Sequence, residues 1–252
     1  MASRTRIEAH DIWVAFSLLS RLPVPVDHSR AGERMAAAVW AWPVVGAVIG
    51  AAMGCAGELA FFIGLPPSVA AVCAITVGIL ATGALHEDGL ADCADGFGGG
   101  QTKERVLEIM KDSRIGAFGA VAIVLALLAR FAGLSGLEGT NLVATLAVVG
   151  AISRTAMALV MRLPNARGSG LSASVGQTEA TGLWLAVGVT LILGLLLLSS
   201  AVFAAILGAI FVATPLVVIA SKRIGGQTGD VLGGVQVLAE IGAILGVLAL
   251  LA

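Results

Sequence analysis

The chain has 252 residues, of which 58% are hydrophobic and only 12% charged, and its mean hydropathy is +0.99. This composition excludes an ordinary soluble domain and indicates an integral membrane protein. The formal net charge of −1 argues against a general affinity for nucleic acids.

The first predicted element is a short interfacial helix over about 12–20. Asp11 and Trp13 interrupt its apolar stretch, so it does not resemble a cleavable signal. Segments of spanning length follow at about 36–62, 67–85, 116–134, 141–161, 183–199, 201–220 and 231–252. Because only Ser199 and Ser200 separate the fifth and sixth segments, six or eight spans are alternatives. We predict an all-α, polytopic bundle of about seven transmembrane helices, forming a single domain over residues 1–252.

The Lys and Arg residues lie on one side of the predicted membrane. They occur before the first span and after the second, fourth and sixth: Arg4, Arg6, Arg21, Arg30, Arg34, Lys103, Arg105, Lys111, Arg114, Arg162, Arg167, Lys222 and Arg223. Since such residues accumulate in cytoplasmic loops, the N-terminus is predicted to be cytoplasmic. Within the spans, Arg130 is expected to extend to the outer interface, and Arg154 to face protein or water.

An acidic motif over 86–96 follows the second span. Its residues Asp88, Asp92 and Asp95 are spaced at i, i+4 and i+7, so on a helix they fall within roughly 60° of one another. Carboxylates this close repel each other unless a cation lies among them, and oxygen ligands favour Mg²⁺ or Mn²⁺. The alternative is a solvated acidic helix face beside the membrane.

A second polar stretch runs over 103–116 after a glycine-rich hinge. Glu104, Glu108 and Asp112 repeat at i, i+4 and i+8, which predicts an amphipathic helix whose acidic face could turn toward the first motif. For Glu104 and Glu108 an ordinary polar face is an equal alternative. Asp112 and Arg114 are stronger candidates because they directly precede the third span.

Three further basic or glycine-rich segments lie on the same side of the predicted membrane. These are 21–25 with Arg21, 162–170 with Arg167, and 225–230 with Gly229 and Asp230. Glycine-rich loops beside helix N-termini expose N–H groups that suit phosphate, although Asp230 could be a simple N-cap. Carboxylates, arginines and such loops are the parts that phosphoryl transfer needs, which indicates a Mg²⁺-dependent membrane phosphotransferase.

The segments 86–96 and 107–119 closely resemble the cobalamin synthase family, whose members are adenosylcobinamide-GDP ribazoletransferases. The segments 21–23 and 225–230 resemble that family in the same order, as do single positions in the first span. The resemblance implies the last step of adenosylcobalamin assembly. A hydroxyl of α-ribazole, or of α-ribazole 5′-phosphate, attacks the phosphate linked to cobinamide, and GMP leaves.

The resemblance also implies roles for residues of this chain. Mg²⁺ is the expected cofactor. Its expected ligands are Asp88, Asp92 and Asp95, supported by Glu108 and Asp112. His86 is expected to orient or deprotonate the attacking hydroxyl, and the catalytic set is His86, Asp88, Asp92, Asp95 and Asp112. The expected substrate-binding residues are Arg21, Arg114, Arg167, Gly229 and Asp230.

Two other functions compete with this one. A CDP-alcohol phosphotransferase of lipid synthesis shares the start of its motif with 92–96, but the Ala-Arg pair of that motif does not follow. A divalent-cation transporter requires ionisable groups within the spans, whereas most acids here lie in loops. We expect an enzyme of the bacterial inner membrane, surrounded by lipid, with its active site on the cytoplasmic face and no nucleic-acid partner. Homo-oligomers and complexes with other corrin-pathway enzymes stay open.

Overall fold

The computed structural model describes residues 7–168, 170–176 and 178–251. Among these residues the only β pairing is an isolated bridge between Asn165 and Gln227. The helices are α1 (His10–Leu19), α2 (His28–Arg34), a 3-10 helix (Ala37–Ala41), α3 (Trp42–Phe62), α4 (Pro67–Thr82), α5 (Leu85–Gly99), α6 (Lys103–Ile109), α7 (Ala117–Ser135), α8 (Leu142–Val160), α9 (Leu171–Val175), α10 (Ala180–Leu198), α11 (Ala201–Arg223) and α12 (Gly229–Leu248). The predicted all-α class is confirmed.

Six helical segments of the described chain are long and apolar enough to cross a membrane. They are Ala37–Phe62, Ala117–Ser135, Leu142–Val160, Ala180–Leu198, Ala201–Arg223 and Gly229–Leu248. A seventh is counted if α4 and α5, which meet at 88°, form one broken span. The polytopic architecture is therefore confirmed, with six to seven candidate spans in place of about seven.

The bend between α4 and α5 has a local backbone cause. Gly83 ends α4 in the left-handed conformation, with φ of +66°, and Ala84 continues it with φ of +59°. Left-handed residues cannot extend an α-helix, so the chain changes direction before the acidic motif begins. The polar helix α5 thus turns away from the apolar axis of α4 and lies outside the six spanning segments.

Close approach of helix backbones holds the bundle together. At the crossing of α3 and α8, a Cβ atom added to Gly46 would overlap the carbonyl oxygen of Gly150. At the crossing of α11 and α12, a Cβ atom added to Gly208 would likewise overlap the carbonyl oxygen of Gly242. Membrane helices gain little from hydrophobic burial against one another, so backbone contact at small residues supplies much of their packing energy.

A buried ionic network joins four helices, α5, α7, α8 and α12. Arg130 of α7 contacts Glu87 at 2.6 Å and Glu240 of α12 at 3.1 Å. Glu240 also contacts Arg154 of α8 at 3.4 Å and accepts a hydrogen bond of 2.6 Å from Gln236. Arg154 faces protein, as predicted. The expectation for Arg130 is wrong, because its guanidinium is 4% exposed between two carboxylates and does not extend to an interface.

The N-terminal helix α1 covers one side of this bundle. It begins at His10, two residues before the predicted start, and buries Phe16, while Trp13 stays 39% exposed. Asp11 is fully buried and pairs with Arg34 of α2 at 2.7 Å. This ion pair fixes α1 against the chain that leads into the first span.

Candidate active site

A cleft lies where α5, the loop after α8 and the start of α12 meet. It is about 140 Å³ in volume. Its polar lining is His86, Asp88, Arg167, Ser172 and Asp230, and apolar side chains of α1, α3 and α8, among them Leu19, Trp42 and Met157, line much of the rest. Three segments far apart in the sequence therefore converge on one space.

The helices α5 and α12 approach closely at glycines, which brings their carboxylates together. A Cβ atom on Gly89 would lie 2.7 Å from the carbonyl oxygen of Asp230, and one on Gly233 would lie 3.3 Å from His86. Larger residues at these positions would separate the helices. The glycine of the acidic motif thus serves packing, and it places Asp88 and Asp230 on the same cleft.

Backbone pairing between two loops positions the arginine of the cleft. The N–H of Ala166 donates to Gln227 at 2.8 Å, and the N–H of Gln227 donates to Pro164 at 2.8 Å. A Cβ atom on Gly226 would overlap the Pro164 carbonyl, so this approach requires glycine. The pairing holds the loop after α8 against the start of α12, and Arg167 consequently faces the cleft.

Arg167 and Asp230 form an ion pair of 2.8 Å across the cleft wall. Asp230 also accepts a hydrogen bond of 3.2 Å from the hydroxyl of Thr228. The N-cap of α12 is Thr228, whose oxygen accepts from the N–H of Val231. The alternative that Asp230 is a simple N-cap is therefore excluded, and its carboxylate is directed to Arg167.

Asp88 and Asp92 lie on the same helix, as the spacing predicted, and Asp230 faces them from α12. Partial burial, together with the nearby carboxylates of Asp230 and Asp88, raises the pKa of Asp92 to about 7. Arg167 opposes this shift only in part. The site therefore holds more negative charge than its own residues neutralise, and a cation there would relieve the repulsion.

Asp95 is directed to a different partner. Its two carboxylate oxygens accept hydrogen bonds from the N–H groups of Gly116, at 2.7 Å, and Gly119, at 2.8 Å. These are free N–H groups at the start of α7, so Asp95 caps that helix although it lies on α5. The same residue that the spacing places beside Asp88 and Asp92 thus fastens α5 to α7.

The second polar stretch differs from its predicted form. Helix α6 ends at Ile109, so Asp112 does not continue the acidic face, and the prediction of one helix through Asp112 is wrong. Glu108 pairs with Arg105 at 2.8 Å, and Asp112 pairs with Arg114 at 2.6 Å. Both carboxylates are exposed or nearly so, and the hydrogen bonds from Arg114 lower the pKa of Asp112 to about 2.

No group of three or more His, Cys, Asp or Glu side chains in the described residues is arranged to hold a metal ion by itself. A site with fewer protein ligands is compatible with this finding, because Mg²⁺ usually binds one or two carboxylates together with water and substrate phosphate. Asp88 and Asp92, on one helix and near Asp230, are the carboxylates available for such a site. Glu108 and Asp112 face arginines instead.

The remaining predicted residues have different surroundings. Arg21 packs against Gly83 at the bend between α4 and α5, and its N–H donates to Ala81 at 2.8 Å. Arg114 is exposed beside Asp112. His86 is 1% exposed, and neither ring nitrogen has a hydrogen-bond partner among the described residues. Gly229 lines the cleft beside Asp230.

Sequence reasoning missed several polar residues that shape this region. Glu240 is an acid within the last apolar span, and that position alone is a signal of a functional or paired group. Asn165 and Ser172 carry no such signal. The Asn165 side chain accepts from the N–H groups of Arg167 and Gly168 and donates to Ser172 at 2.8 Å, which organises the cleft loop.

Comparison with known proteins places the chain in a family. A family model described as cobalamin-5-phosphate synthase matches residues 11–248, which include every span and all three segments of the cleft. The chain belongs to the cobalamin-5-phosphate synthase family. The resemblance found in its acidic motif is thereby confirmed over nearly the whole sequence.

Three curated relatives of this cobalamin-5-phosphate synthase family member carry the same name. A protein of Azorhizobium caulinodans named adenosylcobinamide-GDP ribazoletransferase is 43% identical over 94% of this chain and 95% of its own length. Proteins with the same name from Mesorhizobium japonicum and Bradyrhizobium diazoefficiens are 41% and 40% identical, each over more than nine tenths of this chain. No solved structure matches the chain.

Proposed function

We propose that this protein is an adenosylcobinamide-GDP ribazoletransferase, which completes the nucleotide loop of adenosylcobalamin. The proposal rests on one observation. The chain shares about 40% sequence identity with relatives of that name, over nearly the full length of both chains. The family match favours this reaction over lipid phosphotransfer and over cation transport.

The proposed reaction exchanges one ester of a phosphorus atom for another. A hydroxyl of α-ribazole, or of α-ribazole 5′-phosphate, forms a new bond to the phosphorus attached to cobinamide. The bond from that phosphorus to the GMP oxygen breaks, and the hydroxyl proton is lost. The products are adenosylcobalamin, or its 5′-phosphate, and GMP.

Arg167 is the residue that we assign to the pyrophosphate. It lines the cleft, and backbone pairing between the loops holds it in place. A guanidinium at this position binds phosphate oxygens and stabilises the charge that develops during transfer. Asp230 orients it through their ion pair. Gly229 leaves the adjoining wall open to the substrate, since nothing lies within 4 Å of a Cβ atom built there.

Mg²⁺ is the cofactor that we propose for this site. Asp88 and Asp92 fit it best, because both lie near Asp230 in a cluster with unbalanced negative charge. When bound, the ion would neutralise phosphate oxygens and polarise the phosphorus. Asp95 would act indirectly by fixing α5 to α7. Glu108 and Asp112 are the supporting acids of this proposal, and each would have to leave its arginine partner to reach the ion.

His86 is the residue that we propose to orient the attacking hydroxyl or to accept its proton. It borders the cleft, and its unpartnered ring nitrogens leave one acceptor available in the neutral imidazole. Arg21 and Arg114 are exposed and do not line the cleft, and we propose that they bind outlying phosphate groups of the substrates. The cleft lies on the side rich in Lys and Arg, so we place it, and the N-terminus, on the cytoplasmic face of the inner membrane.

The test combines genetics and enzymology. A bacterial strain that makes adenosylcobinamide-GDP but cannot complete the vitamin is supplied with this gene, and growth without added cobalamin is measured. Purified protein is then incubated with adenosylcobinamide-GDP, α-ribazole and Mg²⁺, and GMP release is followed. Growth and GMP formation that depends on α-ribazole support the proposal, whereas correctly inserted protein that yields neither contradicts it.

A further inference from the structure

A second cavity adjoins the cleft and has no role in the chemistry above. Its volume is about 470 Å³, within the range of sites that bind small molecules. It lies between the end of α8, helix α9 and the turn before α12. Its polar lining is Arg162, Asn165, Ser172, Thr178 and Gln227.

Two buried polar side chains in this cavity lack partners. Gln227 is 2% exposed, and its Oε1 atom has no hydrogen-bond partner among the described residues. Thr178 is 5% exposed, and its hydroxyl is likewise unpartnered there. A buried polar atom without a partner costs free energy, so such atoms mark places where a ligand completes the hydrogen bonding. Gln227 Oε1 specifically requires a donor.

The cavity and the cleft share a wall. Arg167 lines the cleft and Gly168 lines the cavity, while Ser172 borders both. The Asn165 side chain holds this wall through hydrogen bonds to the N–H groups of Arg167 and Gly168. One molecule with a phosphate beside Arg167 can therefore extend its other end into the cavity.

We propose that the second cavity binds the guanosine of adenosylcobinamide-GDP, with Gln227 and Thr178 as base or ribose contacts. This inference rests on the proposed function, which supplies the guanine nucleotide. The pyrophosphate would then lie at Arg167, between the guanosine in the cavity and the acceptor in the cleft.

The hydrogen-bonding chemistry distinguishes the two nucleosides of the reaction. Guanine carries N–H donors on its ring and on its exocyclic amine, and either can satisfy Gln227 Oε1. The base of α-ribazole is a substituted benzimidazole without an N–H group, and it offers no such donor. Arg162, whose guanidinium reaches the Thr178 carbonyl at 3.5 Å, can in addition donate to the acceptor edge of guanine.

The test measures equilibrium binding of GMP to the purified full-length protein in detergent. Purine riboside 5′-monophosphate, which has the same ribose and phosphate but no N–H on its base, is the comparison ligand. We expect the unmodified protein to bind GMP more tightly than this ligand. Gln227→Leu should reduce that preference about tenfold, and Thr178→Val should raise the Kd of GMP about threefold or more.

Thr76→Val is the matched control, because it removes an exposed hydroxyl on α4 far along the chain from the cavity. It should leave the Kd of GMP unchanged. An unaltered preference in folded Gln227→Leu, together with an unaltered Kd in Thr178→Val, overturns the inference. So does a change in the KM of α-ribazole alone, which would assign the cavity to the acceptor.

The inference and the proposed function can fail separately. Binding of GMP needs no transfer, so a base preference that disappears in Gln227→Leu supports the cavity assignment even in a protein that forms no cobalamin. Conversely, a second outcome is that the unmodified protein releases GMP normally while neither variant changes GMP binding. That result would support the proposed function and contradict the assignment of the cavity to guanosine.

Discussion

Arg167 and Asp230 are held 2.8 Å apart by a pair of backbone hydrogen bonds between their two loops. The ion pair joins the chain after α8 to the first turn of α12, and both residues border the cleft. Neither loop alone forms a site. The cleft therefore depends on how spans that are distant in the sequence are packed.

Arg167→Gln is expected to lower kcat/KM for adenosylcobinamide-GDP by about 100-fold, because the amide cannot stabilise the charge of the transferring phosphate. GMP release by purified protein measures the effect. Arg30→Gln, which breaks an exposed ion pair with Glu8, is the control and should stay close to the unmodified rate. A similar loss of kcat/KM in both variants would mean that the overall positive charge of the protein, and not the position of Arg167 in the cleft, determines the rate.

Asp95 and Asp92 should respond differently to substitution. Asp95→Ala removes a cap from α7 and should lower the free energy of unfolding by about 1 kcal/mol. Asp92→Asn removes a repelling charge, and it should preserve stability while raising the Mg²⁺ concentration needed for half-maximal rate. Thermal unfolding and a Mg²⁺ titration of the rate separate the two roles. An unchanged Mg²⁺ requirement in Asp92→Asn would remove this residue from the proposed ligands.

Withdrawal of Mg²⁺ should itself destabilise the protein. If the ion binds at Asp88 and Asp92, adding it to metal-free protein raises the Tm, since it binds the folded state and reduces the carboxylate repulsion. The increase should be much smaller in Asp88→Asn. Scanning calorimetry with and without chelator checks this, and an equal increase in the variant would place the ion elsewhere.

Glu240→Gln is expected to be among the most damaging single changes in the spans. It leaves Arg154 and one side of Arg130 without a carboxylate partner in a buried setting, at a cost of about 3 to 5 kcal/mol. Glu138→Gln, at an exposed loop position, is the matched control. The yield of folded protein and its Tm are measured, and equal values for the two variants would contradict the importance of the network.

Helix packing gives a prediction that is independent of the chemistry. Gly46→Ala places a methyl group against the carbonyl of Gly150 and should force α3 and α8 apart, with a clear loss of Tm. Gly188→Ala on α10 meets nothing within 4 Å and should be neutral or slightly stabilising. A comparable decrease in Tm in both variants would show that the backbone contact between α3 and α8 is not what destabilises Gly46→Ala.

The apolar segments were predictable because spanning length and hydropathy are local properties of the chain. The shared face of Asp88 and Asp92 was predictable for the same reason, since helical spacing determines it. The role of Asp95 was not, because its partners at Gly116 and Gly119 are brought to it only by the packing of α7 on α5.

Two predictions about polar residues were wrong for different reasons. The acidic repeat through Asp112 suggested a longer helix, but α6 ends at Ile109 and Asp112 pairs with Arg114 just beyond it. The prediction that Arg130 reaches an interface was wrong because its partner Glu240 lies on another span. Spacing within one segment contains no information about a pair between two spans.

The ion pairs of Glu240 also set an order for biogenesis. Arg154 precedes Glu240 by 86 residues, so a ribosome inserts α8 before the counterion of its arginine has been synthesised. Until α12 enters the bilayer, that arginine has to be kept in water, in the translocon or near lipid headgroups. We therefore expect chains truncated before the last helix to be recognised and degraded by membrane proteases, because their Arg154 lacks its counterion.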